Sequence, residues 1–292
     1  MPDKALILTS VAGRCVVYPL LGGSLGSWSV EGQDMLHAAS ADDVAAHDPL
    51  RISSFPLVPY SNRIGNARFD WASNWVQLAP NFAPEPHAIH GVGWKRAWEV
   101  ISQAAGEITL GYRHLADANW PWAFTAEQTM SLTETALTLT LRTRNDHGAP
   151  VPLAFGHHPY FDAAGAYLKF SAQGVWMSGA DALPTEIAVP TGDFDFLSGA
   201  AVDGRAVDHC YTGWAGSTRI NWAGRRYALE LTASPTLPAA VIYIPKGGDA
   251  FCFEPVPHIN NALNLPGHEP AMPVIAPGAW FEAKILMRAV TA

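Results

Sequence analysis

Apolar and polar side chains alternate at every second position along much of this 292-residue chain. Leu137, Leu139 and Leu141 stand between threonines and an arginine, and residues 126–132 alternate in the same way ahead of a polar turn at 133–135. A period of two is typical of a strand with one buried face, so these two runs predict a β-hairpin. Two more hairpins are predicted with turns at 31–34 and 72–74, and further strands at 108–112, 227–231, 241–244, 251–254 and 281–287.

Helical spacing is scarce, and only residues 42–46 are predicted to form a short helix or turn. Strands that recur about every ten residues without intervening helices favour a large antiparallel sandwich or barrel over βαβ units. The chain is 49% hydrophobic, enough for a large core, and its 25 glycines and 23 prolines supply many turns. The proline-rich stretch 80–86 is interpreted as a loop rather than a boundary, so residues 1–292 are predicted to form a single all-β domain.

Charge and cysteine usage exclude several classes of partner. The 18 basic residues are outnumbered by 26 acidic ones and form no basic run, which disfavours nucleic acids and anionic membranes as partners. Three widely spaced cysteines form no CxxC pair and no disulfide framework, as in a reduced cytosolic protein. No run approaches the ~18 apolar residues of a membrane span, and the first residues lack the apolar core of a signal peptide. We therefore expect a cytoplasmic protein.

Two polar clusters in the first third of the chain are candidate binding sites. Arg63 stands just before a glycine-containing turn, where a guanidinium can present a planar fork of donors to ligand oxygens or simply be solvated. His87 and His90 form an HxxH pair in a proline-bounded loop rather than on a helix. They are interpreted as loop histidines, part of a non-metal site, or metal ligands, and the sequence alone leaves these alternatives open.

Two further clusters combine titratable groups with apolar surroundings. His157 and His158 lie between a glycine and a proline among aromatic residues, where an imidazole can act as a general acid or simply pack in the core. Glu254 is a lone carboxylate in an apolar strand, a costly placement unless it is partnered or functional. A buried pair with an arginine is the structural alternative. Asp208, followed by a histidine, forms a weaker cluster of the kind usually found in turns.

Five motifs occur in a fixed order along the chain: Asn62-Arg63-Ile64 with Arg68-Phe69, His90-Gly91 with Trp98, His158-Pro159-Tyr160-Phe161, Asp208-His209, and Glu254-Pro255 with Asn264. In this order and at these intervals they resemble the aldose 1-epimerase (galactose mutarotase-like) family. The resemblance extends from about residue 10 to the C-terminus. It implies one large antiparallel β-supersandwich domain, which agrees with the alternation described above.

The resemblance also implies the role of each site residue. Glu254 would be the general base that takes the proton from the anomeric hydroxyl, and His158 the general acid that protonates the ring oxygen. His90, Arg63 and Asp208 fall on the substrate-binding positions of the family. The implied activity is the interconversion of the α and β anomers of a free hexose or pentose, by acid–base opening and reclosure of the ring. Neither a metal nor another cofactor is implied.

Departures from the family pattern leave the substrate open. His157 stands where relatives have asparagine, Ala67 where many have glycine, and residues 255–262 differ from the corresponding run of familiar galactose mutarotases. His258 in that run could be a sugar contact or only a loop residue. A few of the eleven tryptophans could stack on the apolar face of a sugar.

Three other functions remain compatible with the sequence. A hexose 6-phosphate 1-epimerase would need several basic residues around the phosphate, and Lys95 and Arg96 are its best support. A non-catalytic sugar-binding or sensing protein would not require both Glu254 and His158. A metal-dependent β-barrel enzyme would use the histidines as ligands. The sequence does not rank glucose, galactose, xylose, arabinose or fucose as substrates, and it does not give the oligomeric state.

Overall fold

The computed structural model of the protein describes residues 5–292. The strands in this part of the chain, numbered in chain order, are β1 (Leu6–Thr9), β2 (Gly13–Tyr18), β3 (Ser24–Val30), β4 (Gln33–Asp34), β5 (Ser54–Leu57), β6 (Arg63–Ile64), β7 (Arg68–Trp71), β8 (Asn74–Gln77), β9 (Ala88–Ile89), β10 (Glu99–Ala104), β11 (Glu107–His114), β12 (Phe124–Leu132), β13 (Ala136–Asn145), β14 (Val151–Pro152), β15 (Gly156–Asp162), β16 (Ala166–Phe170), β17 (Gly174–Ser178), β18 (Pro184–Ala188), β19 (Ala200–Ala201), β20 (Val207–Thr212), β21 (Ser217–Trp222), β22 (Tyr227–Ala233), β23 (Ala239–Ile244), β24 (Ala250–Val256), β25 (Val274–Ile275) and β26 (Trp280–Thr291).

Helices contribute little to the described residues. The α-helix α1 (Ala41–Ala45) begins at a capping box in which Ser40 and Asp43 exchange side-chain and backbone hydrogen bonds. The 3₁₀ helices are Pro49–Arg51, Gly65–Ala67, Gly93–Lys95, Gly192–Phe194 and Ala262–Asn264. No helix among residues 5–292 has the length and apolar character needed to cross a membrane.

Two large sheets dominate the architecture. The front sheet has 11 strands in the order β1-β2-β3-β5-β15-β24-β23-β20-β17-β18, with β4 paired to β3. The back sheet has nine strands in the order β10-β11-β12-β13-β26-β22-β21-β16-β19. Neighbouring strands in both sheets run antiparallel, for example β15 with β24 and β13 with β26. The predicted all-β supersandwich is therefore confirmed.

The predicted hairpins are present. Strands β12 and β13 pair from Leu132 opposite Leu137, and their residues alternate strictly between buried and partly exposed over most of their length. Glu31 and Gly32 form the turn between β3 and the short β4, so the second strand begins at Gln33, inside the predicted turn 31–34. Strand β7 meets β8 across Ala72 and Ser73, which both adopt positive φ. The other five predicted strands lie within β11, β22, β23, β24 and β26, and residues 80–86 form a loop as expected.

Alternation along β15 and β24 gives the front sheet two different buried faces. Phe251 and Phe253 point into the core between the sheets, whereas Val256 belongs to a smaller cluster on the outer face. His157 points inward, where Nδ1 lies 2.5 Å from Ser54 Oγ and Nε2 lies 3.3 Å from Gln128 Oε1 on the back sheet. His157 is thus a cross-sheet hydrogen-bonding group.

Candidate active site

A cavity of about 400 Å³ opens on the outer face of the front sheet. Its floor is formed by strands β15, β24, β23 and β20, and its walls by loops that precede or connect the shorter strands. The lining residues are Leu50, Asn62, Arg63, Phe82, Glu85, Ile89, His90, His158, Tyr160, Asp208, Val241, Tyr243 and Glu254. All five site residues predicted from the sequence therefore line one cavity.

The floor of the cavity holds a carboxyl–imidazole pair. His158 Nε2 lies 3.3 Å from Glu254 Oε1, and the two residues are only 5% and 1% exposed. The His158 ring is stacked between Phe55 and Tyr160, with centroid distances of 4.5 and 4.8 Å. His158 Nδ1 and Glu254 Oε2 have no hydrogen-bond partner. The pair is therefore rigidly held and retains unused hydrogen-bonding capacity.

Burial acts on both members of this pair. It raises the pKa of the Glu254 carboxyl well above its usual value, and the nearby Asp208 raises it further while Arg63 opposes this. Burial also lowers the pKa of His158 to about 3. Because both charged forms are disfavoured, the pair rests as a carboxylic acid beside a neutral imidazole. Transfer of one proton across the contact converts it into a carboxylate and an imidazolium.

His90 supplies a second, differently oriented imidazole. Its backbone adopts a positive φ of 58°, and its Nδ1 accepts a hydrogen bond from the Asn62 backbone N–H at 3.2 Å. Burial lowers the pKa of His90 well below its usual value, with the His158 charge acting in the same direction. A neutral ring that accepts at Nδ1 carries its proton on Nε2. His90 is therefore a fixed hydrogen-bond donor perpendicular to the His158 ring, with ring centroids 5.1 Å apart.

Arg63 is held by two carboxylates. Its Nε donates to Glu85 Oε2 at 2.7 Å and its Nη2 donates to Glu85 Oε1 at 3.0 Å, while Nη1 lies 3.6 Å from Asp208 Oδ2. Burial raises the pKa of Asp208, and Arg63 partly offsets this effect. Because Glu85 occupies Nε and Nη2, Nη1 is the guanidinium nitrogen that faces Asp208.

Glu85 and Tyr243 line the cavity but were not singled out in the sequence. Glu85 lies in the proline-rich loop, and the one sequence feature that could have identified it is a carboxylate flanked by prolines. Tyr243 lies on the predicted strand 241–244, two residues after Val241, so its position on the cavity face follows from alternation once that face is known. None of the eleven tryptophans, all of which fall within residues 5–292, lines the cavity; its aromatic rings are Phe82, Tyr160 and Tyr243.

Asn261 and His258 fasten the loop that carries Arg63. The Asn261 backbone N–H donates to the Arg63 carbonyl, and Asn261 Oδ1 accepts from the Gly65 N–H at 2.8 Å. His258 is 3% exposed and does not line the cavity. Its Nε2 accepts from the Ser61 N–H at 3.3 Å and its Nδ1 donates to the next residue's carbonyl. His258 is therefore a buried bracing residue, neither a surface loop residue nor part of the cavity wall.

The HxxH pair does not form a shared ligand site. His87 Nδ1 accepts from the Asn66 N–H at 2.9 Å, and its Nε2 lies 3.1 Å from the Asp181 carbonyl, so both ring nitrogens are used. His90 alone of the two lines the cavity. Within residues 5–292, three potential metal ligands have donor atoms within 4.8 Å of one another, and they are His158, Cys252 and Glu254.

Two large antiparallel sheets with a buried carboxyl–imidazole pair beneath polar loops place the protein in the galactose mutarotase-like class of β-supersandwiches. The profile of the aldose 1-epimerase family matches residues 4–288. The chain belongs to that family.

Similar proteins come from several bacteria. The uncharacterized protein YphB of Escherichia coli K12 is 31% identical over 216 residues, which cover 70% of this chain and 73% of YphB. A solved structure of a provisionally assigned aldose 1-epimerase from Escherichia coli K12 has a TM-score of 0.91 and 25% identity, with 99% of both chains covered. A galactose mutarotase-like protein from Clostridium acetobutylicum has a TM-score of 0.89 and 17% identity, with 99% of this chain and 96% of that chain covered.

Proposed function

We propose that the protein is an aldose 1-epimerase that interconverts the α and β anomers of a free aldose. The observation that carries this proposal is the 3.3 Å contact between His158 Nε2 and Glu254 Oε1 on the floor of a polar cavity. Glu254 takes the proton from the anomeric hydroxyl and His158 delivers one to the ring oxygen. The ring opens to the aldehyde, the C1–C2 bond rotates, and reclosure with reversed roles gives the other anomer.

The proton count of the pair fits this cycle. The resting pair first moves one proton from Glu254 to His158, and ring opening then starts from the carboxylate and the imidazolium and ends with a carboxylic acid and a neutral imidazole. Both states hold one proton in total, so a turnover needs no exchange with solvent. Burial favours the neutral state and therefore favours both proton transfers of the opening step. Such acid–base assistance typically contributes about 10²–10⁴-fold to the rate.

The remaining polar groups are suited to binding hydroxyls. The His90 Nε2–H is a donor, the Asp208 carboxylate is an acceptor, and Arg63 Nη1 lies beside that acceptor. Phe82 and Tyr243 add apolar surface to the same cavity, which suits the carbon-bound face of a sugar ring.

The charge of the cavity supports an uncharged sugar over a sugar phosphate. Its single lining arginine, Arg63, is already paired with Glu85 and faces Asp208. A phosphate dianion needs several converging cations. Lys95 lies over the Trp94 ring and lines a neighbouring cavity, and Arg96 pairs with an aspartate elsewhere. The two residues that favoured a phosphate substrate in the sequence are thus absent from this cavity.

We also propose a cytoplasmic location. The three cysteines are buried and unpaired, and such free thiols are typical of a reducing compartment. Export of a tagged full-length chain to an oxidising compartment in the source cell would contradict this assignment.

Anomer exchange measured on freshly dissolved α-sugars tests the proposed activity. Polarimetry or NMR of the anomeric protons should show acceleration above the spontaneous rate for at least one of galactose, glucose, xylose and arabinose. Glu254→Gln should lower the rate about 10²–10⁴-fold because the change is nearly isosteric and removes only the base. Glu230→Gln, on the back sheet, is the matched control. A Glu254→Gln rate near wild type would refute the assigned base, and sugar binding without exchange would indicate a binding protein.

A further inference from the structure

The proposed reaction does not use Cys252, which lies beside the catalytic pair. Cys252 precedes Glu254 by two residues on β24, so the two side chains share the outer face of the sheet. The register places Cys252 opposite Tyr160 on β15, two residues from His158. Donor atoms of His158, Cys252 and Glu254 all lie within 4.8 Å of one another, and all three residues are buried.

The donor set and spacing are close to those of a zinc-type site. Zinc bonds of roughly 2.0–2.3 Å in a tetrahedron separate neighbouring donor atoms by roughly 3.3–3.8 Å. The 3.3 Å contact between His158 and Glu254 already meets this distance, and the thiol needs a shift of at most about 1–1.5 Å. Glu254 Oε2 is buried without a hydrogen-bond partner, so the carboxylate has an oxygen free for a ligand.

Charge balance also favours a divalent ion here. A thiolate and a carboxylate together carry two negative charges, which a divalent cation cancels, and His158 can bind as a neutral ligand. A neutral complex tolerates burial far better than an isolated charge. Sulfur and nitrogen donors select Zn²⁺ or Cd²⁺ over Mg²⁺ or Ca²⁺.

We propose that His158, Cys252 and Glu254 form a binding site for a thiophilic divalent cation of the Zn²⁺ class, whose occupation blocks the catalytic pair. The ion enters through the cavity, which His158 and Glu254 line, and its fourth ligand position is taken by water. Binding releases the thiol proton of Cys252 to solvent. The site itself does not depend on the proposed activity, whereas the blocking effect rests on it.

Titration with Cd²⁺ tests the site without reference to activity. The wild-type protein should develop the ultraviolet charge-transfer band of a cadmium–thiolate bond, and Cys252→Ser should lose it. Cys210→Ser and Cys15→Ser are matched controls because both thiols are also free and buried, and both should keep the band. An equal band in Cys252→Ser, or no band in wild type, would overturn the proposal. Should Cys252→Ser fail to fold, His158→Asn should keep the band but weaken Cd²⁺ binding at least about tenfold; unchanged affinity would overturn the proposal.

Inhibition by Zn²⁺ tests the blocking effect. Zn²⁺ should slow anomer exchange by the wild type, whereas Mg²⁺ should not. Cys252→Ser should keep the basal rate and raise the Zn²⁺ concentration for half-inhibition at least about tenfold. Identical inhibition of both proteins would contradict blocking at this site. If no anomer exchange is found in the metal-free enzyme, the proposed function fails while the Cd²⁺ titration still decides the metal site.

Discussion

Replacing His157 with asparagine should make the fold less sensitive to acid while leaving the active site intact. The imidazole is fully buried between the sheets, where it meets Ser54 and Gln128. Burial, reinforced by the charge of His158, lowers the pKa of His157 from its ordinary value of 6.5 to about 3. The unfolded chain therefore binds a proton at this residue between about pH 6.5 and pH 3, and the folded protein does not.

The magnitude follows from linkage between protonation and folding. When the unfolded state binds more protons than the folded state, acidification lowers the free energy of unfolding. For the two pKa values of His157, the loss between pH 7.5 and pH 5.0 is about 2 kcal/mol. His157→Asn also loses buried hydrogen bonds and should be about 1–3 kcal/mol less stable than wild type at pH 7.5. The difference in the free energy of unfolding between wild type and His157→Asn, called the gap below, should therefore be about 2 kcal/mol smaller at pH 5.0 than at pH 7.5.

Urea unfolding in EDTA at both pH values measures this gap. His147→Asn is the matched control, since it removes an exposed imidazole, and its gap from wild type should change little. Anomer exchange by His157→Asn at pH 7.5 should be close to wild type, because His157 faces away from the cavity. A gap for His157→Asn that is the same at both pH values would refute the assignment of His157 as a neutral buried group.

Three further outcomes follow from the site. Glu85→Gln should raise KM about tenfold with a smaller effect on kcat, because Arg63 loses a bidentate partner. Glu85→Asp should partly restore KM, and the control Glu230→Gln should leave KM unchanged. A fall in kcat without a rise in KM would contradict this role of Glu85. Folded Glu254 keeps its proton above the pH at which the unfolded chain releases it, so wild type loses stability as pH rises. Thermal unfolding should therefore show that the stability of Glu254→Gln rises relative to that of wild type between pH 4 and pH 8. A stability difference that stays constant over this range would argue against the raised pKa. The pair works only while it holds its single proton, so kcat/KM should fall in alkali as Glu254 releases that proton, and the raised pKa of Glu254 puts this fall well above the usual range of a carboxyl; a fall centred near pH 4.5 would argue against the assignment.

Much of the fold was accessible from local pattern alone. Alternation in 126–141 depends only on which residues avoid water, and the same pattern fixes which face of a strand is buried. The strand predictions consequently agree with the structure, whereas the order of strands in the sheets depends on contacts between distant segments. Glu254 was identifiable for a related reason, because a lone carboxylate in an apolar strand demands a compensating partner. Its contact partner is His158 rather than the arginine expected in the structural alternative.

The parts that escaped prediction depend on tertiary contacts between loops. Glu85 pairs with Arg63 from a proline-rich loop 22 residues away, and neither hydrophobic periodicity nor a sequence motif predicts that ion pair. The sequence left His258 as either a sugar contact or a loop residue, yet it braces the segment that begins at Ser61, 197 positions earlier. Loop residues follow no fixed periodicity, so their neighbours emerge only once the sheets have brought the loops together.

His157 and His158 show why a perturbed pKa does not by itself identify a catalytic group. Burial lowers the pKa of each to about 3, and the two residues are adjacent on β15. They differ in the face they occupy, since one joins the two sheets and the other meets Glu254 in the cavity. His158→Asn should therefore lose most of the anomer exchange with a modest change in stability, whereas His157→Asn should do the reverse. If His158→Asn instead raised KM alone, His90 would become the better candidate for the acid, because its Nε2–H is the other imidazole donor of the cavity.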